Sequence, residues 1–130
     1  MNWMDTVSSS LLNKDLDGLW VRQQAISDNM ANYETPGYKA KSVSFEDQLR
    51  GQLADAGTAG ENESTIGKID DVTPVTSEAS DETFRADGNG VDLEQQMIDM
   101  ARTSTNYSYT LQQMNDYFTR LHTAVTGTAK

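Results

Sequence analysis

Few residues of this chain are of the types that carry out catalysis or bind metals. The 130 residues include no cysteine, which excludes a thiolate nucleophile, a disulfide and a cysteine-ligated metal. His122 is the only histidine, and no nucleophile pattern accompanies it, so we interpret it as a surface or edge residue. The sequence predicts a protein that is not an enzyme.

Two glycine-containing stretches invite comparison with ion-binding and phosphate-binding loops. "DGNGVDLE", residues 87–94, places Asp87 and Asn89 at the first and third positions of a calcium-binding EF-hand loop. Asp92 then stands where that loop requires glycine, and Ile98 stands where it requires a bidentate glutamate. "GTAG" and "GNG" lack the spacing and the downstream lysine of a phosphate-binding loop. We therefore expect no metal and no cofactor.

The net charge of the chain disfavours two classes of binding partner, nucleic acids and anionic membranes. The formal charge is -10 at pH 7 and the sequence pI is about 4.3. Sequence-independent nucleic-acid binding and attraction to anionic membranes both depend on basic residues, so both are disfavoured. A length of 130 residues corresponds to about one domain, and we treat residues 1–130 as one.

The N-terminal stretch "MNWMDTVSSSLLNKDLDGLW" does not have the pattern of a cleaved secretory signal. It lacks a basic n-region and a small-residue cleavage site, and Asp5 and Lys14 interrupt the part that should be apolar. The longest apolar run is far shorter than the roughly eighteen residues of a membrane-spanning helix. We expect no direct insertion into lipid, and export, if it occurs, by a route that reads an uncleaved N-terminus.

The N-terminal third has the periodicity of one amphipathic helix, predicted over residues 5–32. Its apolar residues share one helical face, and they are Leu12, Leu16, Leu19, Ile26 and Met30. Gly18 inside this helix costs about 1 kcal/mol relative to alanine, which indicates a soft point or a close contact with another segment.

"NMANYETPGYK", residues 29–39, predicts an abrupt end to that helix. Pro36 cannot continue a helix, and Gly37 suits the positive-φ position of a type II turn. Asn32 can adopt the left-handed conformation that closes many helices, and Asn29 can hydrogen-bond across the bend. On the residues alone, segment 33–50 is an exposed turn followed by a short alternating stretch that becomes locally helical around Phe45 to Leu49.

The C-terminal third, residues 89–126, predicts a second and longer helix that begins with Asp92 as its N-cap. Apolar side chains recur at alternating steps of 4 and 3, broken only by Ser104, as in a coiled-coil seam. They are Leu93, Met97, Met100, Tyr107, Leu111, Met114, Phe118, Leu121 and Val125. We expect the two terminal helices to pair as an antiparallel coiled coil.

Residues 51–88 between the helices show no such periodicity and are rich in acidic and small residues. The segment cannot bury enough apolar surface to offset its ordering entropy, so we expect it to be flexible or ordered by a partner. Only "TIGKIDDVTPV", residues 65–75, has β-branched character, and it allows a short β-hairpin at a sheet edge. The predicted fold class is mainly α, with an irregular acidic middle.

Two helices as long as the predicted terminal helices cannot bury all of their apolar surface against each other. Trp3, Trp20, Tyr109 and Tyr117 lie off the main apolar stripes, and aromatic residues are enriched at protein interfaces. For any one of them, the edge of a two-helix seam is an equally good explanation. Together with the helix length they favour a subunit that completes its core against copies or partners.

The stretch "RQQAISDNMANYETPGYKAKSVSFEDQL", residues 22–49, resembles the N-terminal signature of the axial proteins of the bacterial flagellar rod and hook. "DGNGVDLEQQMIDMARTSTNYSYTL", residues 87–111, extends the resemblance to the C-terminal helix. The resemblance implies that terminal helices pair and line a tube, and that a turn contacts neighbouring subunits. The residues it implies for that turn are Asn29, Asn32, Thr35, Pro36, Gly37 and Tyr38.

The same resemblance implies a structural subunit of the proximal rod of the flagellar basal body. It would leave the cytoplasm unfolded through the flagellar type III export apparatus, without cleavage, and polymerise in the periplasm into a hollow drive shaft and export channel. The implied partners are copies of itself, other rod subunits and the adaptor that joins the rod to the membrane ring. Two alternatives stay open: another subunit of the rod, and a secreted coiled-coil binding module.

Overall fold

A computed structural model describes residues 6–59, 63–78 and 84–127. The fold is mainly helical, with a long helix at each end and one small sheet. Its elements are α1 (Val7–Ala31), β1 (Lys41–Ser44), α2 (Glu46–Ala59), α3 (Glu63–Asp70), β2 (Val75–Glu78) and α4 (Leu93–Thr126). Both long helices lie close to their predicted ranges.

Local side-chain hydrogen bonds fix the ends of α1. Thr6 is the N-cap: its hydroxyl accepts from the backbone N–H of Ser9, and the Ser9 hydroxyl accepts from the backbone N–H of Thr6. The expected left-handed conformation of Asn32 is wrong, since its φ is -102°. Its side chain instead donates to the Asp28 carbonyl at 2.8 Å, which also accepts from the backbone N–H of Asn32 at 3.1 Å.

Helix α4 begins and ends as its terminal residues dictate. Asp92 is the N-cap, as predicted, and its carboxylate accepts from the backbone N–H groups of Glu94 and Gln95 at 3.0 and 3.3 Å. Gly127 closes the helix in the left-handed conformation, with a φ of +67°. The helix is 34 residues long, against 25 for α1.

The two long helices pack antiparallel. Three side-chain hydrogen bonds mark this order along their length: Thr6 with Tyr117, Asp15 with Thr110, and Asn29 with Gln96. The predicted antiparallel order is therefore seen, but the contact does not follow the predicted apolar seam of α4.

The middle of the chain holds two helices, α2 and α3, and of these the sequence predicts only the local helix around Phe45 to Leu49 with which α2 begins. The expectation of an irregular segment is wrong for α2 and α3, and the suggested hairpin at residues 65–75 is wrong because most of that stretch lies in α3. Thr65 and Ile69 are 5% and 0% exposed and share one buried face of α3, and Val72, just after the helix, is 6% exposed. That face packs against α1.

The sheet joins segments that are far apart in the chain. β1 pairs antiparallel with β2, in a register that places Lys41 opposite Glu78 and Ser44 opposite Val75. Directly after β1, Phe45 is 1% exposed and belongs to the core cluster with Leu19, Ala25 and Val43. The sheet thus lies against α1, where it carries Phe45 into the core.

Gly18 makes room for that aromatic ring. A Cβ atom at position 18 would lie 2.5 Å from ring atoms of Phe45, closer than any side chain can approach. The prediction of a close contact at Gly18 is confirmed, and the partner is Phe45.

Candidate subunit interface

The predicted turn has the geometry that its residues favour. Gly37 has a φ of +70°, and the backbone N–H of Tyr38 donates to the Thr35 carbonyl at 3.3 Å, as in a type II turn. The side chains of Thr35 and Pro36 are exposed, and so is Gly37. We call residues 35–37 the apex; it is the part of the predicted turn that a neighbouring molecule can reach.

Asn29 lies inside the subunit. It is 1% exposed, and its side chain pairs with both backbone groups of Lys41: Oδ1 accepts from the N–H and Nδ2 donates to the carbonyl, each at 2.8 Å. Nδ2 also donates to Gln96 Oε1 at 2.9 Å, which reaches α4. The predicted hydrogen bond across the bend is confirmed. Asn29 shapes the turn from within.

The remaining predicted turn residues are half-buried or exposed. Asn32 accepts at Oδ1 from the Thr35 hydroxyl at 3.2 Å. The Tyr38 hydroxyl points toward Asn29 Oδ1 at 3.4 Å, at the long end of a hydrogen bond. The turn is therefore tied to the end of α1 by side chains as well as by backbone.

A second buried asparagine, Asn89, holds the other side of the turn, and sequence reasoning missed this role. Asn89 is 0% exposed, and its Nδ2 donates to the carbonyls of Asn32 at 2.9 Å and Thr35 at 2.7 Å. From the sequence, Asn89 is considered only as the third position of an EF-hand loop that the other residues exclude. The signal that was available is an uncharged amide between two glycines, Gly88 and Gly90, in an otherwise acidic stretch.

An ion pair fixes β1 to α1 beside this turn. Arg22 donates from Nη2 to Glu46 Oε2 at 2.7 Å and to the Val43 carbonyl at 2.8 Å, and its guanidinium lies 5.0 Å from the centre of the Phe45 ring. Burial raises the pKa of Glu46, but hydrogen bonds from Arg22 and from backbone N–H groups outweigh it, so the pKa lies below its usual 4.5. Glu46 is therefore ionised at neutral pH.

Side chains of α1 close one edge of the sheet. Asn29 binds the outer backbone groups of Lys41 and Arg22 binds that of Val43, so β1 has little free edge for another strand. The Lys41 ammonium donates to Asp28 Oδ2 at 3.0 Å, and this hydrogen bond raises the pKa of Lys41 above its usual 10.5. The turn and the first strand are one rigid unit on α1.

Helix α4 carries three parallel rows of residues, each with a spacing of seven. The row that lies against α1, which we call the inner stripe, comprises the buried Thr103 and Thr110 and the half-buried Gln96 and Tyr117. The half-buried row comprises Leu93, Met100, Tyr107, Met114 and Leu121. The exposed row, which we call the outer stripe, comprises Met97, Ser104, Leu111, Phe118 and Val125.

The predicted seam consists of the half-buried row and the outer stripe, and four of its nine apolar residues, those of the outer stripe, remain largely exposed. Met97 is 55% exposed, Leu111 44%, Phe118 51% and Val125 64%. The inner stripe is buried instead, with Thr103 at 3% and Thr110 at 6%. The packing of the outer stripe stays a prediction for an assembly of several chains.

The predicted residues of α1 face inward to different degrees. Leu19 and Ile26 are 3% and 5% exposed, while Leu12, Leu16 and Met30 are half-buried. Leu19 packs in the core cluster with Val43 and Phe45, and the pairing of the predicted α1 residues with the seam of α4 stays a prediction.

Of the aromatic residues predicted to lie off the apolar stripes, some are exposed and one faces α1. Trp20 and Tyr109 are exposed, at 54% and 64%. Tyr117 belongs to the inner stripe, where its hydroxyl lies 2.8 Å from the Thr6 hydroxyl. Trp3 falls outside the described residues.

The described side chains that could bind a metal ion do not form a cluster. His122 is exposed near the end of α4. Among the described side chains, no group of three or more His, Asp or Glu could hold a metal ion.

No helix in the described part of the chain has both the length and the apolar character to cross a membrane.

Charge is unevenly divided between the two parts of the chain. Residues 46–94 contain thirteen acidic and three basic residues, whereas the remaining residues contain seven of each. The whole net charge of -10 therefore belongs to the middle, and the segments that form α1, the turn and most of α4 are neutral overall.

Comparison with curated proteins gives a consistent family. The chain is 32% identical over 108 residues to the flagellar basal body rod protein FlgB of Bacillus subtilis, covering 82% of this chain and 84% of that protein. It is 29% identical over 109 residues to FlgB of Aeromonas hydrophila, covering 82% and 83%. It is also 29% identical over 112 residues to FlgB of Borrelia hermsii, covering 78% and 83%. No family model matches the sequence.

Proposed function

The chain belongs to the family of flagellar basal body rod proteins named FlgB, and from this premise we propose that it is a structural subunit of the proximal rod that polymerises through its terminal helices. In this proposal the subunit helps to form the hollow drive shaft and its export channel. Its role is mechanical, and no catalytic step belongs to it.

The observation that carries the proposal is the outer stripe of α4. Four large apolar side chains along one face remain about half exposed or more, although the helix that presents them is the longest of the described elements. Full burial of one such side chain contributes roughly 1.5 to 3 kcal/mol, and this chain makes only part of that gain by itself. Packing of the outer stripe against neighbouring subunits would supply the rest.

The distribution of charge supports the same arrangement. Because the terminal segments are neutral overall, their packing in many copies brings no net repulsion. The acidic middle would repel its own copies at short range, so it belongs on the outside of the assembly. Contacts of the head-to-tail kind that do not close into a ring generate a helical tube.

Export through a narrow apparatus requires an unfolded chain, and the small core is compatible with that route. The buried apolar residues of the described chain number nine, of which only Leu19, Phe45 and three isoleucine or valine side chains are below 6% exposure. A small core gives a low free energy of unfolding. We propose that the flagellar type III apparatus exports the chain without cleavage into the periplasm.

The partners in this proposal are copies of the chain, other rod subunits and the adaptor between the rod and the membrane ring. The relatives named above are all called FlgB, which favours this subunit over another rod subunit such as FlgC. A secreted coiled-coil binding module would instead bury its outer stripe in a defined oligomer in solution.

Electron microscopy of basal bodies from cells that lack this gene tests the proposal. We expect membrane rings without rod or hook, and restoration of the rod when the wild-type gene is supplied. Intact filaments in the deletion strain would overturn the rod assignment. A discrete oligomer of the purified chain would then favour the coiled-coil module.

A further inference from the structure

The segment between α1 and β1 is held at both ends by a buried asparagine. Asn29 binds the backbone of Lys41 at one end, and Asn89 binds the carbonyls of Asn32 and Thr35 at the other. Both asparagines are no more than 1% exposed. The apex between them has no buried side chain of its own, so hydrogen bonds set its shape.

Both polar atoms of the Asn89 side-chain amide have hydrogen-bond partners, and these partners fix which atom is Nδ2 and which is Oδ1. Its Nδ2 donates to two carbonyls, at 2.9 and 2.7 Å, and its Oδ1 accepts from the backbone N–H of Val91 at 2.7 Å. An aspartate has the same shape, but when ionised it only accepts hydrogen bonds. At this position it would face two carbonyl oxygens without a proton to donate.

Backbone hydrogen bonds join the same two loops. The N–H of Gly37 donates to the Asp87 carbonyl at 3.1 Å, and the N–H of Gly90 donates to the Tyr38 carbonyl at 2.9 Å. We call the turn 32–38 and the loop 87–91, with these bonds, the clasp. The clasp ties the end of α1 to the segment that leads into α4.

We propose that Asn89 is a positioning residue for subunit contact, because it sets the shape of the apex before the apex meets a neighbouring subunit. This inference rests on the proposed function. A surface that already has its bound shape loses less conformational entropy when it docks. Asn89 acts from inside the subunit and touches no neighbour itself.

Amide hydrogen exchange of the purified chain tests the local part of this inference. In Asn89→Asp we expect the amides of Gly37 and Tyr38 to exchange about tenfold faster or more, because two carbonyls lose their donor. The amides of α4 around Thr103 should keep their protection. Asn13→Asp, the same change at an exposed position of α1, is the matched control and should leave the turn unchanged.

Incorporation into the rod tests the functional part. In cells that lack the chromosomal gene, we expect Asn89→Asp to be exported at the wild-type level and to reduce the number of rods by about tenfold or more. Thr73→Asp adds the same negative charge to an exposed loop of the middle and should form rods normally. A role in general stability alone would instead speed exchange throughout the molecule, including the amides of α4 around Thr103.

The outcomes separate this inference from the proposed function. Wild-type protein that fails to restore rods would overturn the proposed function. The inference alone would be overturned if the turn of Asn89→Asp exchanged faster but rods formed normally. It would also be overturned if the amides of Gly37 and Tyr38 exchanged at the wild-type rate in Asn89→Asp.

If Asn89→Asp does not fold, amide exchange of the turn and the number of rods are measured for Asp87→Ala instead, and they test the same inference. The exposed Asp87 carboxylate accepts from the backbone N–H of Asn89 at 3.1 Å, so its loss weakens the clasp without emptying a buried site. Faster exchange of the turn with fewer rods would support the inference, and faster exchange with normal rods would overturn it.

Discussion

In α4 the polar inner stripe faces α1, whereas the apolar outer stripe faces solvent, which is the reverse of the usual arrangement. The inner stripe is polar and buried: Thr110 is 6% exposed and donates to Asp15 at 2.7 Å. The outer stripe is apolar and exposed, with Leu111, the next residue along the chain, at 44%. A helix that served only its own subunit would turn the apolar stripe inward. Under the proposed function, α4 serves two contacts, one inside the subunit and one between subunits.

The two stripes should therefore respond differently to substitution. Changes on the inner side, including the side chains of α1 and the sheet that pack there, should alter the stability of the single chain. Changes on the outer stripe should alter assembly and leave the single chain almost as stable as before.

The largest effect is expected for Leu111→Asp. An unpaired carboxylate in a subunit contact costs several kcal/mol, so we expect rods and motility to be lost. The unfolding free energy of the purified chain should change by no more than about 0.5 kcal/mol, because the position is exposed. Motility in soft agar and thermal unfolding measure the two quantities. Phe118→Asp should behave in the same way, and Thr73→Asp is the control for charge. Normal motility of Leu111→Asp would contradict the role of the outer stripe.

A smaller effect, and one on stability, is expected for Gly18→Ala. The new Cβ would overlap the Phe45 ring, and such overpacking costs about 1 to 3 kcal/mol, more than the gain of about 1 kcal/mol in helix propensity. We expect the unfolding free energy in urea to fall by up to about 2 kcal/mol. Gly51→Ala, in α2 with nothing within 4 Å of the new Cβ, should raise it by about 0.5 kcal/mol. Equal effects of the two changes would show that Phe45 does not need Gly18.

Thr110→Val probes the polar character of the inner stripe. The change keeps the shape but removes the donor to Asp15, and we expect a loss of about 1 kcal/mol in unfolding free energy. Thr105→Val is the control, because the exposed Thr105 hydroxyl donates only to the Ala101 carbonyl of its own helix. If Thr110→Val stabilised the chain, the hydrogen bond to Asp15 would have no role in orienting α4.

The smallest effect concerns the ion pair of Arg22 and Glu46. Because the pKa of Glu46 is lowered below 4.5 in the folded chain, its contribution is full above the unfolded pKa and is lost as the pH falls through the folded pKa. Glu46→Gln should cost about 0.5 kcal/mol at neutral pH, a small value because the side chain is 45% exposed. Urea unfolding as a function of pH should show the difference between the two chains shrinking below pH 4.5. A difference independent of pH would contradict the assignment to this pair.

The long helices could be predicted because their signals are local. Asp92 is an N-cap by its residue type, and Pro36 ends α1 by its ring. The positive φ of Gly37 follows from the turn type that Pro-Gly favours. Each of these features depends on residues within a few positions of one another.

The features that the sequence did not predict depend on distant contacts. β1 finds its partner more than thirty residues away, and Asn89 binds carbonyls more than fifty residues earlier. The buried face of α3 consists of Thr65 and Ile69 in an acidic background, which is too weak for a periodicity signal. The rotation of α4 follows from contacts such as that of Thr110 with Asp15, and spacing alone does not specify them.

The most direct test of the central claim measures the accessibility of the outer stripe in the free chain and in the rod. Ser104→Cys places a single thiol on that stripe with little change in size, in a chain that has no other cysteine. We predict rapid reaction with a maleimide in the purified chain and strong protection in isolated basal bodies, reversed when the basal bodies are denatured. Equal reaction in the free chain and in intact basal bodies would contradict the claim that subunit contacts bury the outer stripe.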